Sequence, residues 1–102
     1  MKSEEILNCL RDEIVRTANP RRILLFSHKQ SPAGELQSVK LCVIINDGDS
    51  RQVEQRLYVE IESELAFDVL VYTVGEWKKL LENKMSFATH IQEIGRVLYE
   101  VD

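Results

Sequence analysis

The chain has 102 residues, 29% of them charged, and a net charge of −4. That length supports one hydrophobic core and not two, so a single domain over residues 1–102 is expected. The even spread of both charge signs excludes a disordered chain, no apolar run reaches the length of a membrane span, and the mild negative charge disfavours sequence-independent binding of nucleic acid.

Met1-Lys2-Ser3-Glu4-Glu5 runs straight into a helical pattern with acidic residues, unlike a signal peptide. Ser3 is expected to cap this helix, with Glu4 and Glu5 at the positive end of its dipole. Ile6, Leu7, Leu10 and Ile14 recur at helical spacing, and Asn19-Pro20 ends the pattern. Arg21 and Arg22 read as a solvated edge before the first strand. Cys9 and Cys42 read as two small buried thiols, from which a cytoplasmic location follows.

Residues 22–27, with Ile23-Leu24-Leu25-Phe26 at their centre, are apolar on both faces and predict a short buried strand. Residues 27–37 predict a polar loop with room for a short helix; it carries His28, Lys29, Pro32, Gly34 and Glu35. Residues 38–45 predict a central strand. Side chains alternate with period two, so Val39, Leu41, Val43 and Ile45 share one face and Lys40, Cys42, Ile44 and Asn46 the other.

Asn46-Asp47-Gly48-Asp49-Ser50 is a turn, and Asp49 with Gln52 predicts a capping box for the next helix. The turn lacks the closing bidentate Glu of a calcium loop. The helix is expected to run to about Leu65, with Val53, Leu57, Ile61 and Leu65 on one stripe. Residues 67–73 predict the third strand, with Asp68, Leu70 and Tyr72 on one face. Thr73 and Glu76 predict a second capping box, followed by a helix whose inner face is Trp77, Leu80 and Leu81. Trp77 reads as core rather than as a platform for a nucleobase, and His90 as a surface residue. Phe87, Ile91 and Ile94 define a last helix, closed by Gly95 in the position of a left-handed cap. Residues 97–100 form a short apolar tail, extended or helical.

A strand-helix-strand unit implies a parallel pair with a right-handed crossover, and the shorter connection at 27–37 lets the first two strands pair antiparallel. The expected architecture is α/β of the α+β type: a small mixed sheet in the order first, second, third strand, with helices packed on it.

Strand, turn-rich loop and strand at 22–45 resemble the signature of the nucleotidyltransferases, the DNA polymerase beta-like superfamily and its minimal members in particular. In that family a strand ends in Phe-Gly-Ser, a Gly-rich stretch follows, and the next strand opens with Asp-x-Asp. The likeness extends through Phe67-Asp68-Val69-Leu70-Val71-Tyr72-Thr73, Glu76-Trp77, Ser86-Phe87 and Gly95-Arg96-Val97-Leu98-Tyr99-Glu100. The resemblance implies transfer of a nucleotidyl group from a nucleoside triphosphate, with magnesium held by three carboxylates. Asp68 matches the third carboxylate, and Phe26 the residue before Gly-Ser. Val39 and Leu41 stand where the first two carboxylates belong, and Ser27 and His28 where Gly-Ser belongs. Glu35, Asp47 and Asp49 lie too far along the chain to substitute.

The chain is therefore expected to be a degenerate member without nucleotidyl transfer, metal or cofactor, acting through protein binding. The resemblance implies a helical HEPN-type partner, as in toxin–antitoxin pairs, or a homo-oligomer. The alternatives are a nucleotide-binding sensor, or a divergent active enzyme using magnesium and a nucleoside triphosphate. Asp68 is expected to take a hydrogen bond or ion pair from the 27–37 loop, with His28 and Lys29 the first candidates, because burial beside Val39 and Leu41 would be costly without a partner. Val39→Asp/Leu41→Asp would create metal binding if the pocket survives.

Overall fold

A computed structural model describes residues 3–101; Met1 and Lys2 of the acidic N-terminal pattern, and Asp102, lie outside the described residues. In chain order the elements are α1 (Ser3–Ala18), β1 (Arg22–Gln30), β2 (Leu36–Ile45), α2 (Ser50–Glu60), β3 (Ala66–Thr73), α3 (Val74–Leu81), α4 (Phe87–Ile94) and β4 (Arg96–Glu100). They build an α+β fold: a mixed four-stranded sheet in the order β3-β2-β1-β4, with helices on both faces. β1 and β2 pair antiparallel, and β2 and β3 pair parallel, as the connection lengths require. The tail is extended: β4 pairs antiparallel with β1 and forms the second edge of the sheet.

The alternation in β2 divides the core in two. Val39, Leu41, Val43 and Ile45 pack with Ile23, Leu25, Val69 and Val71 beneath Leu7, Leu10 and Ile14 of α1 and Leu57 of α2. Cys42 and Ile44 pack on the opposite face with Leu24, Trp77 of α3, and Ala88 and Ile91 of α4. The stripe Val53, Leu57, Ile61, Leu65 is real, but only its first two members are helical. α2 ends at Glu60, and Ile61 turns to an extended conformation, carrying itself and Leu65 into the core on the way to β3.

Two caps behave as their chemistry dictates. The Asp49 carboxylate accepts from the amides of Arg51 and Gln52 at the start of α2, so it caps the helix, but the Gln52 side chain does not return the bond that the expected capping box requires. Thr73 and Glu76 form the full reciprocal box at α3, and the bond from the Thr73 amide holds the Glu76 carboxyl below its usual range. Ser3 does something else. It sits inside α1, and its Oγ accepts from the amide of Leu36 at 3.0 Å, tying the helix to the start of β2.

Three expectations at the chain's turns are corrected. The 27–37 loop is mostly strand: β1 runs to Gln30 and β2 begins at Leu36, so the two arms close through a tight turn at 31–35 and leave no room for a helix. Residues 27–30 are exposed, and a hairpin arm in water needs only backbone pairing, not an apolar face; hence the missing pattern. In the turn, Gly34 takes φ 87°, the left-handed conformation that glycine adopts without strain. Gly95 does not: its φ of −69° is ordinary, and what it supplies is space. A Cβ there would lie 2.6 Å from the Ile91 carbonyl oxygen and 3.4 Å from Leu24 Cβ, where β4 leaves α4.

Only one of the two thiols is buried. Cys9 is exposed on the flank of α1, off the stripe of Leu7, Leu10 and Ile14, where it lines an open groove with Glu62, Ser63 and Glu64. Cys42 is fully enclosed in the α3–α4 core, and desolvation pushes its thiol from 9.0 up to about 12, opposed by the nearby charge of Arg22. A short pulse of iodoacetamide at neutral pH should alkylate Cys9 alone, read by mass spectrometry, and Cys42 should react only under denaturant. Equal labelling of both in the native protein would show the α3–α4 core to be open. The folded chain holds the Cys42 proton more tightly than the unfolded chain does. This contribution to stability is therefore complete below pH 9.0 and drains as pH rises toward about 12.

Candidate functional site

The residues singled out by sequence are divided between the two faces of the sheet. Val39 and Leu41 are 1% and 0% exposed and point under α1 and α2. Asp68 is side by side with Lys40 in the parallel register, so it points to the α3–α4 face. The three positions matched to metal-binding carboxylates therefore do not converge. The neighbour of Asp68 on β2 is Lys40, not the apolar pair Val39 and Leu41.

A bulge in β1 completes the separation. Leu25 pairs with Leu41 and Ser27 with Lys40, leaving Phe26 as the extra residue. Without it, His28 would share the face of Leu24. With it, Ser27 lies beside Lys40, while His28 pairs with Val39 and lines a hollow with Ser3, Leu7, Leu25 and Arg96 on the α1 side. His28 is thus on the wrong side of the sheet to reach Asp68. Lys29 pairs with Ser38, two positions further along the arm. The expected partner for Asp68 is absent: among the described residues it makes no hydrogen bond or ion pair, and it is exposed. Water satisfies a carboxylate in that position, so it needs no donor from the loop.

What does converge is a shallow cleft of about 210 Å³ lined by Phe26, Lys40, Asp68, Leu70 and Phe87. Phe26 and Phe87 meet edge to face, with ring centroids 5.6 Å apart at 89°. The His90 ring stacks near Phe87, with centroids 6.3 Å apart. Of the lining residues, Phe26 and Asp68 were legible from the family pattern. Lys40 was also within reach, since period-two alternation in β2 and β3 places it on the Asp68 face once the register is known. Phe87 and Ile94, whose spacing with Ile91 defines α4, are each 53% exposed, and Ile91 with Ala88 forms the buried side of the helix.

The cleft can offer a cation beside an anion next to a pair of aromatic rings. It does not fit magnesium. Lys40 occupies the place beside Asp68 where a second oxygen ligand would be needed, and no group of three His, Cys, Asp or Glu among the described residues could hold a metal ion. The paired arginines part at the start of β1, Arg21 preceding the strand and Arg22 opening it. Arg21 is exposed and reaches Asn46, whereas Arg22 is half-buried, its Nε 3.7 Å from a carboxylate oxygen of Glu100. No family model, curated protein or solved structure matches the chain significantly. Among the described residues no helix is long and apolar enough to cross a membrane.

Proposed function

We propose that the chain is a nucleotidyltransferase-like domain that has lost the transfer chemistry and works in the cytoplasm through protein contacts. Its partner is a helical HEPN-type protein, as in toxin–antitoxin pairs, or a second copy. One observation carries the loss of chemistry: the two Asp-x-Asp positions are core hydrophobes beneath α1 and α2, on the face opposite Asp68. Two-metal transfer needs carboxylates converging on both the attacking and the leaving oxygen, and a lone exposed Asp68 beside Lys40 supplies neither pair.

Calorimetry with ATP and GTP, with and without magnesium, is expected to give no metal-dependent heat, and a radiolabel-transfer assay on co-expressed proteins no labelled product. Labelling that disappears in Asp68→Ala would overturn the reading. A nucleotide sensor is the second reading, favoured by the cleft that places Lys40 beside Phe26 and Phe87. It requires nucleotide binding that is indifferent to magnesium and lost in Lys40→Ala. For the partner, a HEPN-like reading frame adjoining the gene is the expected observation.

A further inference from the structure

We propose that the Tyr58 hydroxyl is a guard on the outer edge of β3, keeping that strand from pairing with β3 of a second copy. The inference uses nothing of the nucleotidyltransferase resemblance and stands without it.

The two edges of the sheet differ in how much protection they need. β4 is short, carries Arg96 and Glu100 at its ends, and has an irregular register with β1 between Ile23 and Leu24; charges, shortness and bulges all blunt an edge. β3 is longer, has no bulge and carries a single charge, Asp68. It runs in unbroken register with β2 from Ala66 to Thr73. Phe67-Asp68-Val69-Leu70-Val71-Tyr72 is rich in β-branched and aromatic residues and has no Pro or Gly, the composition of a segment that templates further strands.

Residues of a strand between two neighbours present their backbone groups alternately to each side. On an edge strand, every second residue therefore leaves an amide and a carbonyl open. Val69 is such a residue, and Tyr58 closes both groups: its hydroxyl accepts from the Val69 amide at 2.8 Å and lies 3.4 Å from the Val69 carbonyl oxygen, to which it donates. The edge is also obstructed two residues before Val69 and four residues after it. The Tyr58 ring stacks on Phe67, with centroids 5.7 Å apart and planes 9° from parallel, and the Thr73 amide donates to Glu76 at 2.8 Å. Tyr58 is 45% exposed, so burying its ring is not the main return on its placement in α2. The hydroxyl occupies the positions that an incoming strand's own carbonyl and amide would take. Pairing through β3 must first break both bonds.

Tyr58→Phe keeps the ring stack and removes only the hydroxyl. In the variant, exchange of the Val69 amide should quicken about tenfold at low concentration, the loss of two modest hydrogen bonds. Sedimentation analysis should show an association step absent from the wild-type chain, with protection of residues 66–73 rising with concentration. Val53→Ala is the control, since it weakens packing of the same helix and leaves the hydroxyl in place. Association in Tyr58→Phe but not in Val53→Ala supports the guard. An unchanged association state in Tyr58→Phe overturns it. So does equal association in Val53→Ala, which would trace the effect to lost stability alone.

Discussion

Val39→Asp/Leu41→Asp unfolds the domain instead of creating a metal site. The side chains at 39 and 41 are almost wholly shut from solvent, among Ile23, Leu25, Val69 and the inner face of α1. No polar or charged residue is buried with them among those described, and His28, which pairs with Val39, belongs to the exposed arm of β1. An unpaired carboxylate in such a place costs several kcal/mol, roughly 3–5 each, or must take up a proton. Two of them, about 6–10 kcal/mol together, are comparable to the whole stability of a domain of this size, about 5–15 kcal/mol. The expected result at neutral pH is loss of the cooperative melting transition by circular dichroism and collapse of amide dispersion by NMR. Structure should partly return on acidification, because the neutral acids are cheaper to bury than the anions. A folded variant at pH 7 with a melting temperature near that of the wild type would mean that these positions are open to water. The expectation that carboxylates here would bind metal is thereby reversed, and the reason is the face of the sheet on which they lie.

Trp77→Ala should be the most damaging single truncation on the other face, with a loss of about 3–5 kcal/mol by urea denaturation. Trp77 is 4% exposed and is the largest side chain in a core that otherwise holds Leu24, Cys42, Ile44, Ala88 and Ile91. It packs beside Tyr72 at 5.6 Å, and its indole N–H donates to the Gln92 side chain at 3.2 Å, joining α3 to α4. Both helices are short, eight residues each, and cannot hold their conformation without that face. Amides of α3 and α4 should therefore lose protection before those of α1 and β2. Trp77→Phe, which keeps most of the volume and drops the bond to Gln92, should cost much less. A loss below about 1 kcal/mol for Trp77→Ala would imply that α3 and α4 contribute little to holding the sheet.

The elements themselves were legible wherever a local rule sufficed. Period two in residues 38–45 assigned each side chain of β2 to its face, helical spacing placed Leu7, Leu10, Ile14 and Leu57 in the core, and hydroxyl and carboxylate spacing marked the caps at Asp49 and Thr73. Connection lengths then dictated an antiparallel pair followed by a parallel crossover. The same rules failed where burial did not impose a pattern. Residues 27–30 pair as strand with both sides in water, so they carried no alternation to read. Residues 97–100 had the composition of either element, and only the open edge of β1 decided that they extend.

The candidate site shows the division most sharply. The sequence by itself determined that Val39 and Leu41, the two positions that the nucleotidyltransferase resemblance matches to carboxylates, are apolar, and that Asp68 is the one matched position that carries an acid. That Asp68 faces away from both, beside Lys40 and two phenylalanine rings, was decided by the register of β3 on β2. That His28 lies across the sheet from Asp68 was decided by one extra residue, Phe26, in the pairing of β1 with β2. Register and bulges are settled by how whole strands pack against helices distant in sequence, and a single-residue step reverses every side chain beyond it. No local pattern of residues contains that information.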